Sequence, residues 1–171
     1  MINKKVCMLG AFSVGKTSLV SQFVHSVFSD RYLSTVGVKI SKKEIMTCGK
    51  EINLLLWDME GKDAYVDINT SYLRGAMGFF VVADGTRKET LDIALELREI
   101  AFKYLGKPLP NKLLINKADI RNKWEITPEM LEGLREKRID FFCTSAKSGD
   151  TVDDAFKSLT EEMLQEQNSA K

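Results

Sequence analysis

The eight residues Gly10-Ala11-Phe12-Ser13-Val14-Gly15-Lys16-Thr17 constrain this chain more than any other stretch. They fit the spacing G-x-x-x-x-G-K-[ST] between an apolar run, 5–9, that reads as a strand and a segment, 17–24, whose Leu19, Val20 and Phe23 recur at helical spacing. Each fixed position has a physical reason. Glycines let the backbone close around an anion, and successive N–H groups then point inward as a nest. The helix start adds partial positive charge. A lysine at the end of the loop reaches the outer phosphates, and the next hydroxyl ligates a divalent cation. The stretch 10–17 therefore predicts a strand–loop–helix unit holding a phosphorylated ligand and Mg²⁺. Phe12, Ser13, Val14, Gly15, Lys16, Thr17 and Ser18 are expected around the phosphates.

Further along, short β-like runs alternate with longer helical patterns, which points to an α/β sheet. Residues 39–47 and 51–58 predict two strands paired through the turn Cys48-Gly49-Lys50. The runs 78–83 and 112–116 are apolar enough for strands buried on both faces. Between them, 88–105 predicts a helix with the stripe Leu91, Ala94, Leu95, Leu97, Ile100, Ala101 and Tyr104. Thr127-Pro128-Glu129 has the cap, the proline and the acid of a helix start. A last strand is expected at 140–144, then a helix with Val152, Ala155, Phe156, Leu159 and Met163 facing a core. The sum is a three-layer α/β/α fold: a six-stranded, mainly parallel sheet with one antiparallel edge strand and about five helices. With 171 residues and no repeat or linker, the chain reads as one domain, 1–171.

Asn116-Lys117-Ala118-Asp119 follows the 112–116 strand, at the sheet edge where ligands of open α/β folds bind. A carboxylate accepts two hydrogens, and guanine offers N1–H and its 2-amino group side by side, whereas adenine does not. The asparagine amide suits either the purine edge or a tie between loops, and the lysine stem suits the ring face. Thr144-Ser145-Ala146-Lys147 follows the next strand, bringing backbone N–H groups within reach of the purine O6. The base set is thus Asn116, Lys117, Asp119, Ser145, Ala146 and Lys147. An ATP-using kinase would need the first of these loops to be coincidental.

Net charge narrows the partners. With 25 basic and 24 acidic residues the chain carries +1, without the basic excess that nucleic acid demands. Cys7, Cys48 and Cys143 are scattered, which fits a reducing compartment better than a disulfide framework. The amino-terminal run is too short for a signal peptide or membrane span, no glycine follows Met1, and 165–171 hold no cysteine to prenylate. The expectation is a cytoplasmic protein without a covalent lipid anchor. His25 reads as a surface residue, Trp57 as core and Trp124 as a loop or rim residue. Lys42-Lys43 and Arg87-Lys88 read as solvated faces.

These motifs, with Phe28, Thr35-Val36-Gly37, Trp57-Asp58, Gly61 and the run 71–78 (SYLRGAMG), keep the order and spacing of the Ras superfamily of small GTPases, which the chain resembles over nearly its whole length. The Rab-like branch is the most similar. The resemblance implies a GTP/GDP switch that uses Mg²⁺ and is monomeric by default. In it Phe28 packs on the guanine, Tyr32 joins the nucleotide site, and Thr35 ligates Mg²⁺ and senses the γ-phosphate. Asp58 holds Mg²⁺ through water, and the N–H of Gly61 contacts the γ-phosphate. Switch I (29–38) and switch II (59–74) would be ordered by the γ-phosphate and relax after hydrolysis, and effector and regulator proteins would read them. Such proteins usually end in prenylated cysteines. Either a tail was removed, or the chain belongs to a non-lipidated branch such as the prokaryotic Rab-like proteins.

Three positions depart from the family pattern. Where D-x-A-G-Q is usual, the chain has Asp58-Met59-Glu60-Gly61-Lys62. The glutamine that orients water is replaced by Lys62, and an ammonium only donates. Lys62 either stabilises developing negative charge or points to solvent. Glu60 replaces a small residue and either orients a water or turns away from phosphate; Asp63 is a second acceptor. Lys16, Thr35, Gly61, Lys62 and Glu60 are the candidate catalytic residues; Thr17, Thr35 and Asp58 are the candidate metal ligands. Phe12 replaces a small residue where a partner's arginine enters, a contribution of roughly 10³–10⁵ in rate. The expectation is a GTPase with slow intrinsic turnover; the alternative is a GTP-held binding module with negligible hydrolysis.

Overall fold

The computed structural model describes residues 1–31, 34–61 and 68–169. Six strands form one sheet in the order β2-β3-β1-β4-β5-β6. They are β1 (Ile2–Gly10), β2 (Val38–Thr47), β3 (Lys50–Met59), β4 (Gly78–Asp84), β5 (Asn111–Asn116) and β6 (Phe141–Cys143). Only the β2–β3 pair is antiparallel. Four α-helices, α1 (Lys16–His25), α2 (Glu89–Leu105), α3 (Pro128–Glu136) and α4 (Val152–Ser169), and two short 3-10 segments complete the described residues.

Strand periodicity builds the three layers. In β1 and β4 every second side chain faces the same side, so Val6, Met8, Phe80 and Val82 meet α1 and α4. Cys7, Leu9, Phe79, Val81 and Ala83 meet α2 and α3. Both sets are buried, as parallel strands covered on two faces require. On the first side the ring of Phe156 lies 3.9 Å from that of Phe23 and 4.6 Å from that of Phe80. Removing such a ring from a packed core costs about 3–5 kcal/mol.

Three local expectations are refined. The hairpin turn has two residues, because Thr47 pairs with Lys50 and both Cys48 (φ 50°) and Gly49 (φ 67°) are left-handed. On α2, Tyr104 is exposed, and Phe102 and Leu105 complete the apolar stripe. Leu105 lies one helical step of four beyond Ala101, whereas Tyr104 is turned off that face. Strand β6 has three residues, although Asp140 and Thr144 each keep one backbone bond to β5.

The chain runs from β1 to one side of the sheet and returns to β4 on the other. The carboxyl ends of β1, β4, β5 and β6 therefore gather at one edge around this reversal, the position where open α/β sheets bind ligands. Among the described residues no helix is long and apolar enough to cross a membrane.

Candidate nucleotide and metal site

At that edge lies a cavity of about 610 Å³, within the ordinary range for a small-molecule site. Its floor at one end is the loop after β1. Ser13 (φ 60°) and Gly15 (φ 103°) are left-handed, which lets the chain curl before α1 begins at Lys16. Gly15 is obligatory for a second reason: a Cβ there would overlap the amide of Asn116. Lys16 is buried, and its Nζ donates to the carbonyls of Gly10 (2.9 Å) and Ala11 (2.7 Å). Gly61 lies against the same ammonium, so that any side chain there would collide with Lys16 and Ala11.

Beside the loop three oxygens converge from three elements. Thr17 at the start of α1 donates its hydroxyl to Asp58 Oδ2 at 2.6 Å. The hydroxyl of Thr35 lies 2.7 Å from that of Thr17 and 3.3 Å from the same carboxylate oxygen. Asp58, near the end of β3, is 1% exposed, and its Oδ1 is buried without a hydrogen-bond partner. Burial pushes this carboxyl above its usual pKa, against the hydrogen bond from Thr17, the charge of Lys16 and the hydrogen bond from Thr35. An orphaned carboxylate oxygen beside two hydroxyls is the donor set of a hard cation, so the residues fit Mg²⁺. Glu60 lines the same cavity beside Gly61. Its N–H donates to the Gly37 carbonyl (2.9 Å), and its carboxylate accepts from the Gly37 N–H (3.3 Å). One oxygen of its carboxylate thus reaches switch I from the cavity wall.

The opposite end is built from the β5 and β6 loops. Asn116 is buried and ties loops together: its amide donates to the Val14 carbonyl (3.0 Å) and accepts from the Ala146 N–H (3.1 Å). Ser145 is also buried and donates to Asp119 Oδ1 at 2.7 Å, orienting an otherwise exposed carboxylate. Lys117 is left-handed (φ 71°), and its ammonium pairs with Asp84 Oδ2 at 2.6 Å.

Most of the expected residues share the one cavity. Phe12, Ser13, Gly15, Lys16, Thr17 and Ser18 line the phosphate end with Thr35 and Gly61. Phe28, Asn116, Lys117, Asp119, Ala146 and Lys147 line the base end. Val14, Asp58 and Ser145 stand behind the wall: Val14 is core, and the other two orient what faces the cavity. Phe12 is 38% exposed at the lip. Tyr32, Lys62 and Asp63 fall outside the described residues.

The sequence did not point to Ile120, which also lines the cavity, nor to two supports of the base loop. Asp84 is buried at the end of β4 and holds Lys117, the only signal being an acid that terminates an all-apolar strand. Burial raises its pKa, but the Lys117 bond and two hydrogen bonds from Thr86 outweigh this and hold it below the usual value. Trp124 is part of the base-loop support, its indole N–H donating to the Lys117 carbonyl at 2.9 Å. The fold and the site together define a phosphate-loop nucleotide-binding domain.

The chain belongs to the Ras family, whose model matches residues 5–165. It is 36% identical to Ras-related protein Rab-13 of Rattus norvegicus over 94% of its own length and 79% of the relative's. It is 35% identical to Ras-related protein Rab-10 of Diplobatis ommata, over 94% and 81%. Against Ras-related protein Rab-8B of Homo sapiens the identity is 33%, over 96% and 80%. The chain is therefore a Rab-like small GTP-binding switch, of a family whose members bind GTP, GDP and Mg²⁺ and act through effectors and regulators.

Proposed function

We propose that this chain binds GTP and GDP with Mg²⁺, hydrolyses GTP slowly, and presents its two switch segments to partner proteins. The observation that carries the reading is the meeting of Thr17, Thr35 and Asp58 beside the phosphate loop, with one buried carboxylate oxygen unsatisfied. Those three residues would hold the ion, Asp58 from behind the hydroxyls. Mg²⁺ at this position supplies charge neutralisation of the phosphates and helps to orient them. Asp119, fixed by Ser145, favours guanine because its carboxylate accepts from two adjacent donors.

Slow turnover follows from what surrounds the phosphate end. One Glu60 oxygen is engaged by the Gly37 N–H, which competes with any role in orienting an attacking water. Phe12 stands at the lip where an inserted arginine would pass. Val36, 86% exposed, and Ile40, 52% exposed, give switch I and the start of β2 an apolar surface suited to a protein partner.

The Glu60–Gly37 bonds also favour a second reading, a GTP-held binding module with negligible hydrolysis. Single-turnover hydrolysis of protein preloaded with GTP and Mg²⁺ separates the two. GDP formation on the order of 10⁻⁴ s⁻¹ supports a slow GTPase. GTP that stays intact for a day supports the binding module, and failure to load GTP rejects both.

A further inference from the structure

Arg87, outside the nucleotide set, grips the phosphate loop from behind. It lies in the turn after β4, where its Nε is 3.2 Å from Asp84 Oδ2 and its Nη2 donates to the Phe12 carbonyl at 2.7 Å. One planar guanidinium thus spans a buried carboxylate and the loop after β1, a geometry that suits arginine's fixed fork of donors. Its anchor is itself held: Asp84 Oδ2 takes the Lys117 ammonium, and Oδ1 accepts from the N–H (2.9 Å) and hydroxyl (2.7 Å) of Thr86. Lys117 is fixed in turn through Trp124, whose ring fills the space that a Cβ on Gly85 would occupy and is covered by the Arg121 guanidinium at 4.3 Å. A continuous chain of contacts therefore joins Trp124, Lys117, Asp84, Arg87 and Phe12.

The direction of the last contact gives it a consequence. The Phe12 carbonyl and the Ser13 N–H belong to one planar trans peptide and point opposite ways. Holding that carbonyl from outside aims the Ser13 N–H inward, and Ser13, left-handed as anion nests require, lines the cavity. Asn116 does the same two peptide planes further on, holding the Val14 carbonyl and so aiming the Gly15 N–H.

We propose that Arg87 is a positioning residue: braced on Asp84, it holds the Phe12 peptide so that the phosphate loop keeps its amides on a bound guanine nucleotide, and it couples that loop to the base-binding loop. The proposal rests on the nucleotide reading above. It predicts that Arg87 governs how long the nucleotide stays.

The test is the dissociation rate of a fluorescent GDP from the whole chain with Mg²⁺, chased by excess unlabelled GDP. Arg87→Ala should release GDP about tenfold faster, the loss of a charge-assisted bond. Arg87→Lys, which reaches one acceptor but not both, should fall between. Millimolar guanidinium should slow release from Arg87→Ala and leave the wild type unchanged, which a general loosening of the fold would not allow. Asp84→Asn should also speed release, and the double variant should be no faster than the quicker single one. Lys88→Ala, beside it on the exposed face, should match wild type. Release from Arg87→Ala within twofold of wild type, fully additive effects of the two sites, or no response to guanidinium would each overturn the brace. A wild-type chain that holds no GDP overturns the nucleotide reading and the brace with it.

Discussion

The two ends of the cavity are held together differently. At the base end, Asn116, Ser145 and Asp84 are buried, and each makes several short bonds to backbone or charged partners. At the phosphate end the described residues of the two switches, beyond the start of the β2–β3 ladder, are joined by a backbone bond and an exposed carboxylate, both at Gly37. The metal oxygens bond to one another and leave a carboxylate oxygen unsatisfied. Buried, fully paired polar groups are costly to move, whereas exposed bonds are cheap to exchange. On the proposed reading the base end is preformed, and the phosphate end would take its final form from its ligand. A switch needs both: recognition that does not change and a surface that does.

The largest effect is expected at Asp119. Replacing it with alanine removes two charge-assisted acceptors from guanine, at about 1.5–3 kcal/mol each, so GDP affinity should fall about 10²–10⁴-fold in calorimetric titration. The fold should be unaffected, because the carboxylate is exposed and, among the described residues, bonded through the Ser145 hydroxyl alone. An affinity loss below tenfold would remove Asp119 from the base site. At the other end, Asp58→Asn should raise the Mg²⁺ concentration needed to retain GDP by roughly 10–100-fold, the usual cost of a damaged metal environment. Equal Mg²⁺ dependence in both proteins would contradict the metal assignment.

Smaller effects sharpen the contrast. Glu60→Ala removes one exposed hydrogen bond of about 1 kcal/mol, so the ratio of GTP to GDP affinity should move about fivefold or less. Glu60→Gln, which keeps an acceptor, should move it less still. At the base end the expected change is with pH. The native pKa of Asp84 lies below the unfolded value of about 3.9, so its ionised form stabilises the folded state fully above that pH. That contribution is lost only as pH falls through the lowered native pKa. Thermal unfolding of wild type and Asp84→Asn should therefore differ by a constant amount from pH 7 to 5 and converge in stronger acid. A gap that closes between pH 7 and 5 would place the titration elsewhere.

Much of this was legible in the sequence, and what was not has a common cause. The phosphate loop, the hairpin and the two base loops are written as contiguous residues with fixed spacing, so local rules find them. Asn116 is half of such a case: its place was readable, but whether its amide serves the purine or the loops was not, because its partner Val14 is 102 positions away. Arg87 beside Lys88 looks like a solvated pair until β4 and β1 bring it to Phe12, 75 positions off. Trp124 looks like a rim residue because the glycine that makes room for its ring, Gly85, comes before α2 in the chain. Glu60 kept two orientations open because its partner Gly37 lies on another strand end. Tyr104 failed differently: near the end of a helix, one residue of phase decides burial.

Hydrogen exchange at individual amides reads the difference between the two ends, comparing the chain loaded with Mg²⁺–GDP and with Mg²⁺ and a slowly hydrolysed GTP analogue. At the base end the reporters are the Ala118 N–H, bonded to Thr144, and the Ala146 N–H, bonded to Asn116. At the other end they are the amides of Gly37 and Glu60. Ala118 and Ala146 should be equally protected in both forms, with Gly37 and Glu60 exchanging much more slowly when the γ-phosphate is present. Equal exchange at Gly37 and Glu60 in the two forms, or a change of the same size at Ala118 and Ala146, would contradict that difference.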